Sequence, residues 1–215
     1  MNASGELPIL DGSYYDEAYY QPGGKSGYEM PFTWEVEETS SRKIAAFISQ
    51  FKPDRVLDVG CAKGFCCRAL METGIEAWGC DISQWALDNC EKAVQGRLHY
   101  ADVRHGLPYM DGEFSLVMTY ATLEHVEPES VLTVLEELSR VAKKWIVIDV
   151  PVSMTDKNEP RGDPSHRLFA PVSYWVVALY QLGWLFDLSR SSQGDVQDCH
   201  SATMVFGRPR LDELS

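Results

Sequence analysis

The chain has 215 residues, with 32 Asp and Glu against 19 Lys and Arg, so its formal net charge is -13. A hydrophobic fraction of 45%, including six Trp, ten Tyr and eight Phe, can fill a sizeable core and excludes intrinsic disorder. The acid excess argues against a phosphate backbone as partner, because that attraction comes from Lys and Arg displacing counterions, and no nucleic-acid partner is expected.

The first 32 residues are rich in Tyr, Gly, Pro and acid and have no sustained period, which predicts a covering segment with at most a short helix. Ile44, Ala45, Ile48 and Phe51 share one face of a helix predicted over residues 33–51, with acids near its start where the helix dipole favours them. A short buried strand over residues 55–60 runs into a glycine turn and a helix over 64–73. A second strand covers 77–82, and Ser83 is suited to cap the helix carrying Trp85, Ala86, Leu87 and Cys90. Strands three, four and five are predicted over 98–103, 114–120 and 145–150. Pro128 opens the intervening helix, in which Val131, Leu135, Leu138 and Ala142 keep helical spacing. A polar loop over 153–170 leads to a helix over 172–182, stopped by Gly183, and two last runs, 184–188 and 202–207, are expected to pair antiparallel at one edge. This alternation predicts a Rossmann-like three-layer α/β sandwich on a seven-stranded, mostly parallel sheet.

No run reaches the roughly 20 apolar residues of a membrane span. The most apolar window, residues 174–184, is short and contains Gln181 and Gly183. Residues 1–10 carry no basic region and no long apolar run, so a signal peptide is not expected and a cytoplasmic location is. Cys61, Cys66, Cys67, Cys80, Cys90 and Cys199 show neither CxxC nor zinc-finger spacing and are read as reduced and structural. Trp145, Trp175, Tyr180 and Trp184 sit at strand or helix spacing and are read as core.

Three acids end three successive strands. Val56-Leu57-Asp58-Val59-Gly60-Cys61-Ala62-Lys63-Gly64-Phe65 is a strand ending in Asp that breaks into a Gly-x-small-x-Gly turn, where residues without bulk let backbone amides approach a ligand. It fails the dinucleotide fingerprint, whose third and sixth positions are here Ala62 and Phe65, and this argues against an oxidoreductase. Asp81 stands where a carboxylate accepts both hydroxyls of a ribose. Asp102, with Val103 as apolar wall and backbone donor, is suited to an adenine.

These motifs resemble those of class I S-adenosylmethionine-dependent methyltransferases over residues 40–208. The resemblance adds the loop 107–114 before strand four and Thr122-Leu123-Glu124-His125-Val126 after it. It implies S-adenosylmethionine as cofactor, with Asp58, Gly60, Cys61, Ala62, Gly64 and Phe65 around its methionine and nucleoside. Asp81 and Ile82 would lie at the ribose, Asp102 and Val103 at the adenine, and Tyr120 and Ala121 beside the methyl group. Two positions depart from the family: Ala62 stands where glycine is most frequent, and Ser115 where many members carry Asp.

On the acceptor side the candidate catalytic residues are His166, first choice as general base, with His125 and Glu124. The Asp163-Pro164-Ser165-His166 stretch and the opening tyrosines resemble small-molecule and glycan-cluster members, and Tyr19, Tyr20 and Tyr28 are expected to form an aromatic flap over the cofactor. Some methyltransferases hold a divalent metal through Glu-x-x-Glu-His and a later His. Here Ala121 replaces the first glutamate, coordination falls a ligand short, and no metal is expected. The expected organisation is a lid over 1–40, a cofactor-binding domain over 41–208 and a tail over 209–215. The expected activity is methylation of a small molecule, on an oxygen of a natural product or sugar, by a monomer or homodimer. The alternatives are an N-methyltransferase and a non-catalytic S-adenosylmethionine-binding partner protein.

Overall fold

A computed structural model describes residues 9–152, 163–196 and 199–209. The predicted tail lies outside these apart from its first residue, as do residues 153–162 of the loop and the side chain of Cys199. Helix α1 (Glu17–Tyr20) is a single turn capped by Asp16, whose carboxylate accepts from the Tyr19 amide. Helix α2 (Trp34–Ser49) precedes the units β1 (Arg55–Val59), α3 (Phe65–Glu72), β2 (Glu76–Asp81), α4 (Gln84–Asp88) and β3 (Leu98–Tyr100). Strand β4 (Phe114–Tyr120), helix α5 (Val131–Val141), strand β5 (Ala142–Pro151) and helix α6 (Val172–Gln181) follow. The short β6 (Leu185–Phe186), β7 (Ser192–Val196) and β8 (Cys199–Gly207) come last.

The sheet order is β3-β2-β1-β4-β5-β8-β6, with β7 also paired to β8. Strands β1 to β5 are parallel, and β8 runs antiparallel to β5, β6 and β7. The pleat sends alternate residues to opposite layers. Leu57, Val117, Ile146 and Ile148 pack with Leu135 and Leu138 of α5 and Trp175 of α6, whereas Val56, Leu116, Met118 and Val147 pack with Ile48 of α2 and Leu70 of α3. Those two helical layers with the sheet between them make the three-layer sandwich expected, and the terminal antiparallel pair at one edge is present as β6 and β8.

Four details differ from the sequence reading. Strand three stops at Tyr100, because Asp102 caps a 3-10 turn over Val103–His105 by accepting from the Arg104 amide. Strand β5 starts earlier, at Ala142. Strand β7 adds an eighth strand, absent from the reading because Ser192, Gln193, Gly194 and Asp195 have no apolar alternation. Tyr180 is 66% exposed and not core: α6 turns Trp175, Ala178 and Leu179 inward, and Tyr180 lies about 100° round from Leu179. Trp175 and Trp184 are fully buried as read, the indole of Trp184 donating to Ser139 Oγ at 2.8 Å. Ser115 accepts from the Arg55 amide (3.0 Å) and donates to the Arg55 carbonyl (2.9 Å), so its hydroxyl ties β4 to the start of β1 beside a register shift between Phe114 and Leu116. Among the described residues no helix is long and apolar enough to cross a membrane.

Candidate functional site

Strand order reverses between β1 and β4: β2 and β3 lie to one side, β5 and β8 to the other. In open α/β sheets this reversal leaves a crevice at the carboxyl ends of the strands. Here it holds a cavity of about 210 Å³ whose wall comes from the loops after β1, β2, β3 and β4 and from the segment before α2.

The turn after β1 is left-handed at three alternate residues, Gly60 (φ +83°), Ala62 (+46°) and Gly64 (+78°). A Cβ at Gly60 would lie 2.1 Å from Thr122 Oγ1, so glycine is what lets the turns after β1 and β4 meet. Ala62 departs from the family pattern at a position where glycine would be unstrained, and its left-handed backbone costs about 1–2 kcal/mol. Asp81 holds it there: its Oδ2 accepts from the Ala62 amide at 2.7 Å, while its Oδ1 accepts from the Ser83 amide at 2.7 Å. Each Asp81 oxygen keeps a further lone pair. Asp81 is 8% exposed, and burial raises its carboxyl above the ordinary range despite these bonds.

Of the predicted cofactor residues, Gly60, Ala62, Asp81 and Ile82 line the cavity, as do Asp102, Val103, Tyr120, Ala121, Tyr20 and Tyr28. Asp58, Cys61, Gly64 and Phe65 stand behind that wall. Cys61 turns under Gly79, where an added Cβ would lie 2.6 Å from its Sγ, and Phe65 packs on Phe32 with ring centroids 5.0 Å apart. Asp58 is buried at the end of β1; burial, with the charge of Asp81 adding to it, pushes its carboxyl up to about 7. Burial also pushes the Cys61, Cys67 and Cys80 thiols up, in keeping with inert, reduced cysteines.

Asp102 is already engaged. Its Oδ1 accepts from the Arg104 amide (3.0 Å) and Nε (2.9 Å), and its Oδ2 from Arg104 Nη2 (2.8 Å). Arg104 also reaches Glu127 (3.0 Å) and donates to the Leu10 carbonyl (3.0 Å), and the Leu10 amide donates back to Glu127 (3.4 Å). One guanidinium therefore clamps the N-terminal segment to the loops after β3 and β4. Sequence reasoning missed this clamp and the wall residues Leu10, Tyr15, Phe32 and Arg104. The adjacency of Arg104 to Asp102 was the available signal, and nothing marks a partner 23 residues further on.

The segment so held is aromatic. Tyr20 stacks on Trp85 (5.2 Å, 17°), Tyr28 stacks on Phe32 (5.7 Å, 8°), and Tyr15 and Tyr19 meet edge-on at 4.9 Å. Ser83 Oγ donates to the Tyr15 carbonyl, and a Cβ at Gly12 would meet the Ile82 carbonyl oxygen at 2.2 Å, so the chain passes directly against the loop after β2.

On the other side of the cavity the structure brings together the three predicted catalytic residues. A 3-10 turn over Leu123–His125 follows β4, and the Glu124 carbonyl accepts from the amides of Arg167 (2.6 Å) and Leu168 (3.0 Å), which seats the His166 loop on that turn. His125 and His166 lie with ring centroids 4.8 Å apart, and His125 borders the cavity whereas His166 and Glu124 lie behind it. Asp163 Oδ1 accepts from Ser165 Oγ at 2.6 Å, so Ser165 Oγ accepts from His125 Nδ1 at 2.9 Å. That order of donors leaves His125 Nε2 with a free lone pair. Asp163 Oδ2 accepts from Tyr19 at 2.8 Å, tying the cover to this loop. Burial pushes Glu124 up to about 8 and depresses both histidines, His125 further by the neighbouring His166.

A parallel sheet with a ligand-sized crevice at its strand reversal, and a carboxylate at the end of β2 bound to the turn after β1, defines a nucleoside-binding α/β protein. Residues 56–145 match the family described as a methyltransferase domain. An uncharacterized methyltransferase of Schizosaccharomyces pombe is 30% identical over 146 residues, which are 60% of this chain and 49% of that protein. The chain thus spans about half the length of that relative. Among solved structures, the magnesium protoporphyrin IX methyltransferase of Synechocystis, crystallised with bound SAH, superposes with a TM-score of 0.68 at 14% identity, over 92% of this chain and 98% of that one. The chain thus has the fold of S-adenosylmethionine-dependent methyltransferases and carries a methyltransferase-domain match over residues 56–145. The fold by itself does not fix the reaction, since a [4+2]-cyclase superposes with a TM-score of 0.63 at 15% identity over 78% of this chain and 80% of its own.

Proposed function

We propose that this chain transfers the sulfonium methyl group of S-adenosylmethionine to an oxygen of a small-molecule acceptor. The observation that carries the reading is the position of Asp81, on the cavity wall at the end of β2. Its two oxygens are fixed by the Ala62 and Ser83 amides, and each still has a lone pair for a ribose hydroxyl. The adenine would lie toward Asp102 and Val103, with Asp102 held in place by Arg104, and the methionine part over the Gly60 turn in front of Asp58. Tyr120 and Ala121 would border the methyl group, and the acceptor would approach beside His125. Residues 1–40 would act as the cover that excludes water.

The sulfonium is a good leaving group, so the protein's main task is to align sulfur, methyl and acceptor oxygen. Such alignment can supply on the order of 7–11 kcal/mol. A small acceptor fits the cover, which the Arg104 clamp and the Tyr19 to Asp163 bond close on two sides. Thermal unfolding with saturating S-adenosylmethionine, S-adenosylhomocysteine or NAD tests the reading. Both S-adenosyl ligands at a hundredfold excess over Kd should add about 2.7 kcal/mol of stability. Stabilisation by NAD alone would overturn it.

A further inference from the structure

Glu124, His125 and His166 each offer one ligand atom, and these atoms lie within 4.8 Å of one another. Glu124 is 1% exposed, yet its Oε2 has no hydrogen-bond partner, and neither does the buried Nδ1 of His166. A buried polar atom without a partner is costly, and two of them on the residues of one cluster call for a common ligand. His125 adds a third donor, because its Nδ1 proton is committed to Ser165 and its Nε2 lone pair is free. The bond from a ligating histidine's other nitrogen to a polar group, itself held by a carboxylate, is the outer-shell arrangement that fixes such a ligand's tautomer and orientation.

We propose that Glu124, His125 and His166 bind one divalent transition-metal ion, zinc or a similar ion, at the acceptor side of the cavity. Two imidazoles and a carboxylate suit zinc, cobalt or manganese, whereas calcium and magnesium favour all-oxygen sets. Ligand atoms on a tetrahedral zinc ion lie about 3.3 Å apart, so the cluster needs to contract by up to about 1.5 Å. The glutamate missing at Ala121 does not leave the set short, since three protein ligands with an open position make a catalytic rather than a structural site.

The ion's use, though not its binding, rests on the methyl-transfer reading. His125 borders the cavity, so an acceptor hydroxyl or a pair of neighbouring oxygens could take the open position. The bound hydroxyl would release its proton to water. The O–CH3 bond would form as the S–CH3 bond breaks, and the sulfonium would leave as the neutral thioether of S-adenosylhomocysteine.

The test is a titration of the EDTA-treated 215-residue chain with CoCl2, followed by visible absorption, and then displacement of the cobalt by ZnCl2. One equivalent should give a ligand-field band that zinc abolishes. Glu124→Gln and His166→Ala should each weaken cobalt binding at least tenfold. S-adenosylhomocysteine should still raise the melting temperature of all three proteins, which shows that the variants fold. No cobalt band in the wild type, or unchanged cobalt affinity in both variants, would mean that water fills the cluster and would overturn the metal site. If those results came with intact S-adenosylhomocysteine binding, the cofactor reading would stand alone. Cobalt binding without any response to S-adenosylhomocysteine would support the metal site and overturn the cofactor reading.

Discussion

The two sides of the cavity are built on different terms. On the side of β1 to β3 the polar groups that meet the wall are already paired: Asp81 with the Ala62 and Ser83 amides, Asp102 with Arg104, Arg104 with Glu127 and Leu10. After β4 the opposite holds, with Glu124 and His166 each leaving a buried polar atom without a partner. A site whose hydrogen bonds are complete before the ligand arrives is preorganised for one molecule of fixed shape. A site with incomplete bonds waits for a group to complete it, and this is where members of one fold can differ in what they act upon.

The largest expected effect tests whether the first side is rigid because it is paired. Arg104→Met would leave Asp102 and Glu127 as nearly buried carboxylates without their cation, at a cost of about 3 kcal/mol in denaturant unfolding. A loss under about 0.5 kcal/mol would show that the clamp does not hold the cover. Gly60→Ala comes next. The left-handed backbone and the contact with Thr122 should cost about 1–3 kcal/mol, and S-adenosylhomocysteine should bind at least tenfold more weakly by calorimetry.

A pH series sharpens the electrostatic part of the comparison. Asp58 ionises near 7 in the folded chain, well above its unfolded range, so the fold favours its neutral form. The ligand-free protein should therefore lose stability as pH rises from about 4 to about 7. A cationic cofactor favours the ionised carboxylate, so affinity for S-adenosylmethionine should rise over the same interval by up to about tenfold per unit and level off above it. Affinity that falls with rising pH would contradict this placement of Asp58. The smallest effect is expected for Tyr19→Phe, which removes one hydrogen bond to Asp163, about 1 kcal/mol. It should lower turnover with the cofactor's affinity near wild type, and a larger effect on affinity than on turnover would place Tyr19 on the wrong side of the cavity.

Much of the fold could be read from the chain because its signals are local. The apolar runs of β1, β2 and β4, the Ser83 cap on α4 and the Gly183 stop after α6 each lie within a few residues of what they specify. Strand β7 escaped because its residues show no apolar alternation and its pairing with β8 alone makes it a strand. The same division runs through the site. Asp81 and the glycine turn announce themselves by position after a strand. The bonds from Arg104 to Leu10 and Glu127, and from Tyr19 to Asp163, join residues 94, 23 and 144 positions apart and have no sequence spacing to betray them. His166 ranked ahead of His125 as the acceptor-side group when only residue types were considered. The fold puts His125 on the wall because it immediately follows β4, whereas His166 reaches the cluster from the loop after β5.

The central claim is that Asp81 is the anchor of an S-adenosyl nucleoside. Isothermal titration of S-adenosylhomocysteine into the wild type and Asp81→Asn tests it most directly. Asparagine keeps the size but gives up the charge and one acceptor oxygen, so the wild type should bind one equivalent and the variant about tenfold to a hundredfold more weakly, the weight of a hydrogen bond to a charged group. Equal affinity in the two proteins, or no binding by the wild type, would contradict the account.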